Sequence, residues 1–228
     1  MGSNDRRQRE KLKLRTKILD AARLLFAGEG YEAVSMRRIA EAIEYSPTAI
    51  YVYFADKDTL VRELCREDFG ALAGVFRELA AVKDPVERIR RIGQVYVEFG
   101  AKYPNHYRLM FMTPKPFHAI EEKDLATRGQ PDEDAYAFLR ATVVEAIAQG
   151  RLRPGVKPNA DLVAQTCWAG VHGVVGIELT HGKDKWIDLG SVKERTRVML
   201  NTCAHGLFTE TNQARKPKSA AKRKAGKR

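Results

Sequence analysis

The chain has 228 residues, of which 44% are hydrophobic and 30% charged, and its formal net charge is +11. Such a chain can bury the core of one all-helical unit or of two small domains. It contains no apolar run that we expect to cross a membrane, and its charged N-terminus is unlike a signal peptide, so we expect a cytoplasmic protein with no membrane partner. The cysteines, Cys65, Cys167 and Cys203, are odd in number and widely spaced, which favours small buried hydrophobes in a reducing compartment.

Both ends of the chain are basic. Residues 1–13 are predicted to form a basic N-terminal arm, and the stretch from Asp5 to Arg15 has six basic residues against two acids. Residues 213–228 are predicted to be a disordered basic tail, because they lack large apolar residues. Setting aside its eight basic residues lowers the net charge from +11 to +3. The tail either binds phosphates without sequence preference or serves only as a solubilising terminus.

The first predicted domain, residues 14–60, has the pattern of three helices. Apolar residues at helical spacing predict the first helix over 14–28, with glycines as its stop. Ser35 is the expected N-cap of the second helix, and Ser46-Pro47 opens a third helix over 47–53, after which Asp56 caps the next one. Two short helices about three residues apart have the geometry of a helix-turn-helix, whose second helix enters the DNA major groove.

The run from Ile39 to Leu60, IAEAIEYSPTAIYVYFADKDTL, resembles the TetR-type one-component transcriptional regulators. The pattern covers about residues 12–62 and differs from the usual one at Glu44, where the family has a turn glycine. Glutamate there stores modest strain or requires a different turn. The resemblance implies DNA contacts along and around the third helix, from Arg37, Ser46, Pro47, Thr48, Ala49, Tyr51, Tyr53 and Lys57. Among these, Thr48 and Ala49 are candidate base readers and Lys57 a phosphate contact, while the N-terminal arm is expected in the minor groove.

The second predicted domain, residues 61–212, continues in helices. A long helix over 58–81 is followed by helices over 85–101, 105–112, 117–127, 132–148, 160–180 and 191–208, separated by proline and glycine breaks. The fold class we predict is therefore all-α, with an N-terminal three-helix unit and a C-terminal helical domain for ligand binding and dimerisation.

Residues 168–173 resemble the C-terminal module of one TetR branch that is named for its Trp and His-Gly. The family's regulatory core holds a small-molecule cavity, which implies an apolar or aromatic effector lined here by Phe76, Tyr96, Phe99, Tyr103, Tyr107, Phe111, Phe138, Trp168 and His172. The alternative for any one of these aromatic side chains is plain core packing, and for His172 a satisfied core histidine.

Glycines at 170, 173 and 176 recur at i, i+3 and i+6 inside a predicted helix, where each costs about 1 kcal/mol relative to alanine. Such a stripe lets another backbone approach closely, and in the family the last two long helices form a four-helix dimer interface. We therefore predict a homodimer with an interface that includes Gly170, Gly173, Val174, Gly176, Ile177, Val198, Met199 and Cys203. Packing of the glycines within one subunit is the alternative.

The sequence offers no nucleophile motif, phosphate-binding loop, paired cysteines or histidine spacing for a metal, so no enzyme, cofactor or metal site is expected. We predict a homodimeric DNA-binding regulator, in most relatives a repressor, that binds a pseudo-palindromic double-stranded operator and is released by its effector. Two alternatives stay open. One is a non-specific nucleic-acid binder acting through its basic termini, and the other is a ligand-binding helical protein that has lost operator recognition.

Overall fold

A computed structural model describes residues 3–112 and 126–209 of the chain. Within these ranges the protein is helical, without a β-sheet, and a single β-bridge joins Leu152 to Phe208. The predicted all-α class is confirmed. The predicted basic tail and most of the helix predicted over 117–127 lie outside the described residues.

Nine labelled helices follow one another along the described chain: α1 (Ser3–Glu29), α2 (Met36–Ala42), α3 (Pro47–Tyr51), α4 (Lys57–Glu78), α5 (Pro85–Lys102), α6 (Pro104–Tyr107), α7 (Ala135–Ala148), α8 (Ala160–His181) and α9 (Val192–Leu207). A 3-10 turn (Leu79–Ala81) extends α4, and a π-helical turn (Arg108–Met112) extends α6.

The largest difference from the sequence-based boundaries is at the N-terminus. Helix α1 begins at Ser3, so the stretch predicted as a separate arm before residue 14 is its first half. The apolar spacing starts only at Leu14, because residues 5–13 are mostly charged and all exposed, as a polar extension of the helix. Helix α3 ends at Tyr51, two residues earlier than predicted, because the chain turns toward the buried Phe54.

Two apolar cores divide the molecule. The first joins α1, α2, α3 and the start of α4, with Phe26, Ile39, Ile50 and Leu64 among its fully or almost fully buried side chains. The second lies between the end of α4 and helices α5, α7, α8 and α9. Helix α5 approaches its neighbours closely through Gly100, where an added Cβ would lie 2.6 Å from a methyl group of Val175.

Helix α6 and the π-helical turn together form the linking segment, Pro104–Met112. Leu109 of this segment is buried in the first core, whereas Tyr107 and Met110 are buried in the second. The linking segment therefore belongs to both cores at once. Its π-helical turn is a feature that is often found at functional sites.

The expectation that no apolar run is long enough to cross a membrane is wrong for α8. This helix has 22 residues, and its most apolar window has a mean hydropathy of 1.2. Because Val163, Ala164, Val171 and Val175 are buried in the second core, its inner face is that of a core helix. One helix of this length and hydropathy is weak evidence for a membrane span, because a buried core helix has the same features.

Candidate DNA-binding surface and ligand cavity

The helix-turn-helix is defined by three side-chain caps, all of which the sequence predicts. Ser35 Oγ accepts a hydrogen bond from the backbone N–H of Arg38 at 3.1 Å, and Ser46 Oγ accepts one from Ala49 at 3.3 Å. Asp56 Oδ1 accepts one from Thr59 at 2.6 Å. Each cap satisfies a backbone N–H that has no partner within its own helix, so α2, α3 and α4 each begin at a fixed residue.

The turn between α2 and α3 places Glu44 at a φ of +61°, in the left-handed region. Glycine is the residue that adopts this conformation without steric cost, so the strain expected from a glutamate here is confirmed. The turn is closed by hydrogen bonds to the end of α2, one of which runs from the Tyr45 N–H to the Ala40 carbonyl at 3.0 Å. The capped helix-turn-helix geometry is therefore kept with a glutamate in place of the family's turn glycine.

Helix α3 presents one face outward and buries the other. Ile50 is fully buried, whereas Pro47, Thr48 and Tyr51 are exposed and Ala49 is half-buried. Val52 is not among the predicted contact residues, although its side chain is 72% exposed at the end of this helix. Its place next to Tyr51, off the inner face formed by Ile50 and Phe54, is the sequence signal that could have identified it.

Three predicted DNA contacts have intramolecular partners. The Arg37 guanidinium forms an exposed ion pair with Glu41 at 3.0 Å, and Tyr53 packs against the first core. The Lys57 ammonium donates to the Tyr31 backbone carbonyl at 2.9 Å and lies 4.0 Å from the centre of the Tyr31 ring. Lys57 therefore fixes the start of α4 against the loop after α1.

A cavity of about 720 Å³ opens inside the second core. Of the nine residues predicted to line it, five do so: Phe76, Tyr96, Phe111, Trp168 and His172. The other four, Phe99, Tyr103, Tyr107 and Phe138, are absent from its wall. Phe138 packs behind Phe76, Tyr107 packs behind Phe111 and His172, and the rings of Phe99 and Tyr103 contact each other.

Several lining residues were not predicted. They include Phe69 and Leu72 of α4, Ile89 of α5, Tyr136 and Leu139 of α7, and Cys167 and Cys203 of α8 and α9. Aliphatic residues at helical spacing do not distinguish a cavity wall from a filled core, because both need the same apolar face. Only the three-dimensional arrangement separates them.

One polar network lies at the cavity wall. The Trp168 Nε1–H donates to the Tyr96 hydroxyl oxygen at 3.0 Å. The hydroxyls of Tyr96 and Tyr107 lie 3.0 Å apart, and His172 Nδ1 lies 2.5 Å from the Tyr107 hydroxyl oxygen. Burial raises the pKa of Tyr96 to about 12 and that of Tyr107 further, and it lowers the pKa of His172. At neutral pH the network therefore consists of two protonated tyrosines and an uncharged imidazole.

A buried ion cluster lies between α1, α4 and the linking segment. The Arg23 guanidinium donates to both carboxylate oxygens of Asp68, at 3.0 and 3.2 Å, and His106 Nδ1 lies 2.9 Å from Asp68 Oδ1. Arg23 is 7% exposed and Asp68 is 3% exposed. The cluster connects the helix-turn-helix domain to the segment whose Met110 and Phe111 line the cavity.

The residues predicted for a dimer interface fall on two different faces of α8 and α9. Gly170 packs inward, since an added Cβ would lie 2.8 Å from Met199 Sδ, so this glycine follows the intramolecular alternative. Val174 is buried, and Cys203 lines the cavity. In contrast, Ile177 and Val198 are exposed, and within the described residues a Cβ at Gly173 or Gly176 would have no neighbour within 4 Å.

Comparison with known proteins places this geometry in a family. Residues 18–64 match the model described as bacterial regulatory proteins, tetR family, and residues 89–203 match the model of a tetracyclin repressor-like C-terminal domain. The second match includes the Trp168–Gly173 segment.

The chain is 40% identical over 79 residues to the HTH-type transcriptional repressor Rv1474c of Mycobacterium tuberculosis, which covers 31% of this chain and 42% of that protein. It is 41% identical over 69 residues to the repressor AcnR of Corynebacterium diphtheriae, covering 30% and 36%. The chain thus spans about two fifths of the length of these curated relatives. A TetR family transcription regulator from Marinobacter aquaeolei VT8 has the same fold, with a TM-score of 0.66 and 22% identity over 90% of this chain and all of that one.

Proposed function

The chain belongs to the TetR family of bacterial regulatory proteins, and we propose that it is a cytoplasmic DNA-binding transcriptional repressor without enzymatic activity. The observation that carries the proposal is the capped helix-turn-helix, whose α3 presents an uncharged, exposed outer face. Two matched relatives are themselves HTH-type transcriptional repressors, and their matches span segments of 79 and 69 residues.

In the proposed complex, α3 lies in the major groove of the operator. Thr48 and Ala49 face base edges, where a threonine hydroxyl can hydrogen-bond and a methyl group can contact thymine. The hydroxyl of the exposed Tyr51 reaches a phosphate, and Val52 adds an apolar contact to the groove edge. Lys57 and Arg37 contribute positive charge near the backbone, beside the basic first half of α1.

We place the dimer contact on the outer face of α8 and α9. Leu162, Ile177 and Val198 are large apolar side chains with about half of their surface exposed, and Gly173 and Gly176 leave room for a second backbone. A symmetric contact through this face would present two α3 helices, as a pseudo-palindromic operator requires.

The polar network also defines the chemistry of the proposed effector. If the His172 hydrogen is on Nε2, Nδ1 accepts from the nearer of two tyrosine hydroxyls, that of Tyr107 at 2.5 Å rather than that of Tyr96 at 3.1 Å. Tyr107 then accepts from Tyr96, and Tyr96 accepts from Trp168, so every hydrogen has a partner. The other tautomer leaves one tyrosine hydrogen without an acceptor in the network. The described residues provide no partner for Nε2, and His172 lines the cavity. We therefore propose an uncharged, mainly apolar effector with an oxygen acceptor that receives the Nε2–H.

Calorimetric titration with benzophenone and with diphenylmethane tests this effector chemistry, since the two probes differ at one carbonyl. We expect benzophenone to bind about three- to tenfold more tightly, the value of one net hydrogen bond. In His172→Phe, which keeps an aromatic ring at the cavity wall, the two affinities should converge. Equal affinities for the unaltered protein would contradict the assigned donor.

Release is proposed to pass through the linking segment. An occupant of the cavity contacts Met110 and Phe111, while their neighbour Leu109 is packed in the core of the helix-turn-helix domain. A small displacement of this segment would therefore rotate that domain and change the separation of the two α3 helices. The effector favours whichever spacing fails to match successive major grooves.

Selection of bound duplexes from a random DNA library, with the full chain and with residues 1–214 at near-physiological salt, tests the function. We expect both proteins to recover the same inverted repeat, and that duplex then serves to measure release by an effector. Recovery of no motif by 1–214, with the full chain binding every duplex, would assign the activity to the basic tail. No binding by either protein would favour a helical ligand-binding protein without an operator.

A further inference from the structure

Two cysteines meet in the wall of the cavity. Cys167 of α8 and Cys203 of α9 both line it, and the sulfur of Cys203 lies close to α8 one turn after Cys167, at Gly170. Cys167 is buried, whereas Cys203 is half-buried. The cysteines were expected to be separate buried hydrophobes, because these two lie 36 positions apart in the sequence. The packing of α8 on α9 brings them together.

The close approach of the two helices depends on Gly170, which lies one turn after Cys167. A Cβ at this position would lie 3.4 Å from Cys203 Sγ and 2.8 Å from Met199 Sδ. A larger residue would therefore separate the sulfur atoms of Cys203 and Met199 from α8. In this arrangement a hydrogen bond from Cys167 lowers the pKa of the Cys203 thiol, and the same interaction, with burial, raises that of Cys167.

We propose that Cys167 and Cys203 form a redox-active dithiol, which an apolar organic hydroperoxide entering the cavity oxidises to an intrachain disulfide. The apolar cavity selects the oxidant by its carbon body, and the thiolate form of a cysteine is the reacting nucleophile. Only Cys203 is accessible enough to react first, and Cys167 is positioned to resolve the product. The site is separate from DNA recognition and does not depend on the proposed repressor function.

The chemistry balances with the hydroperoxide as the oxidant. The Cys203 thiolate attacks the terminal peroxide oxygen, the O–O bond breaks, and the alkoxide leaves and takes up a proton to become an alcohol. Cys203 is then a sulfenic acid. The Cys167 sulfur attacks the Cys203 sulfur, an S–S bond forms, and the hydroxyl group leaves with the Cys167 proton as water. Two thiols lose two electrons, and the hydroperoxide gains them.

The test is cumene hydroperoxide added to the reduced full chain, followed by N-ethylmaleimide, unfolding and peptide mapping without reduction. We expect a Cys167–Cys203 cross-linked peptide, with Cys65 alkylated, and slower formation with hydrogen peroxide at the same concentration. Cys65→Ser should react as the unaltered chain does, because Cys65 lies in the first core. Cys203→Ser should lose the cross-link, and Cys167→Ser should stop at a sulfenic acid that dimedone traps.

Three results would overturn the proposal. They are oxidation that ends at Cys203 or Met199 of the unaltered chain without a cross-link, a disulfide that joins two chains, and equal rates with the two peroxides. The last would show that the cavity does not select the oxidant. Because each readout is a mass, loss of operator binding in a variant leaves the result unaffected.

Discussion

Replacing Asp68 by alanine is expected to lower the free energy of unfolding by about 3–5 kcal/mol, as for other buried pairs that lose one partner. The guanidinium of Arg23 would stay buried with its two hydrogen bonds to Asp68 removed, and His106 would lose its partner on α4. Urea denaturation followed by circular dichroism measures the change as a lower midpoint with an unchanged slope.

Asp20→Ala is the matched control, because Asp20 contacts the same guanidinium from the surface. Its ion pair with Arg23 is 2.8 Å long, but its side chain is 62% exposed. Exposed pairs contribute at most about 1 kcal/mol, so this variant should unfold close to the unaltered protein. Similar losses in the two variants would contradict the assigned importance of burial at Asp68.

Thr48→Asp is expected to weaken operator binding by at least about 100-fold, since a like charge placed against an interface costs several kcal/mol. Thr48 is exposed on the outer face of α3, where the introduced carboxylate would face DNA phosphates. Folding should be preserved, because an acid in the first turn of a helix is favourable. Fluorescence anisotropy on the selected operator measures the loss.

Gln130→Glu adds the same charge at an exposed position in the turn that precedes α7. It should leave operator affinity within about twofold, because the position lies in the C-terminal domain, outside the helix-turn-helix, and salt screens exposed charges. If both variants weakened binding equally, net charge would account for the effect, and α3 would not be the reading helix.

The local signals of the sequence were sufficient for the helix-turn-helix. Ser35, Ser46 and Asp56 were predicted as caps because a short polar side chain before an apolar stripe has few other roles. The left-handed turn at Glu44 could be expected only through the family pattern, since nothing about glutamate favours a positive φ. The predicted role of Lys57 was incomplete. Its contact with Tyr31 joins residues 26 positions apart, which a local sequence pattern does not reveal.

The cavity and the packing of α8 on α9 were less predictable. An aromatic cluster indicated the right region, yet Tyr107 and Phe138 pack behind the wall and Cys167 and Cys203 form part of it. Gly170 and Gly173 belong to one sequence stripe, but the first packs against Met199 and the second faces open space. Helical spacing gives the angle of a residue on its own helix and leaves the neighbour undetermined.

The placement of Leu109 in one core and of its neighbour Met110 in the other has a consequence for how the protein melts. Neither domain can expose its interior without pulling this turn away from the other, so the two should unfold as one cooperative unit. A scanning calorimeter would record this as a single heat-absorption peak whose van't Hoff and calorimetric enthalpies agree. A protease that nicks the chain at this turn would divide the peak in two.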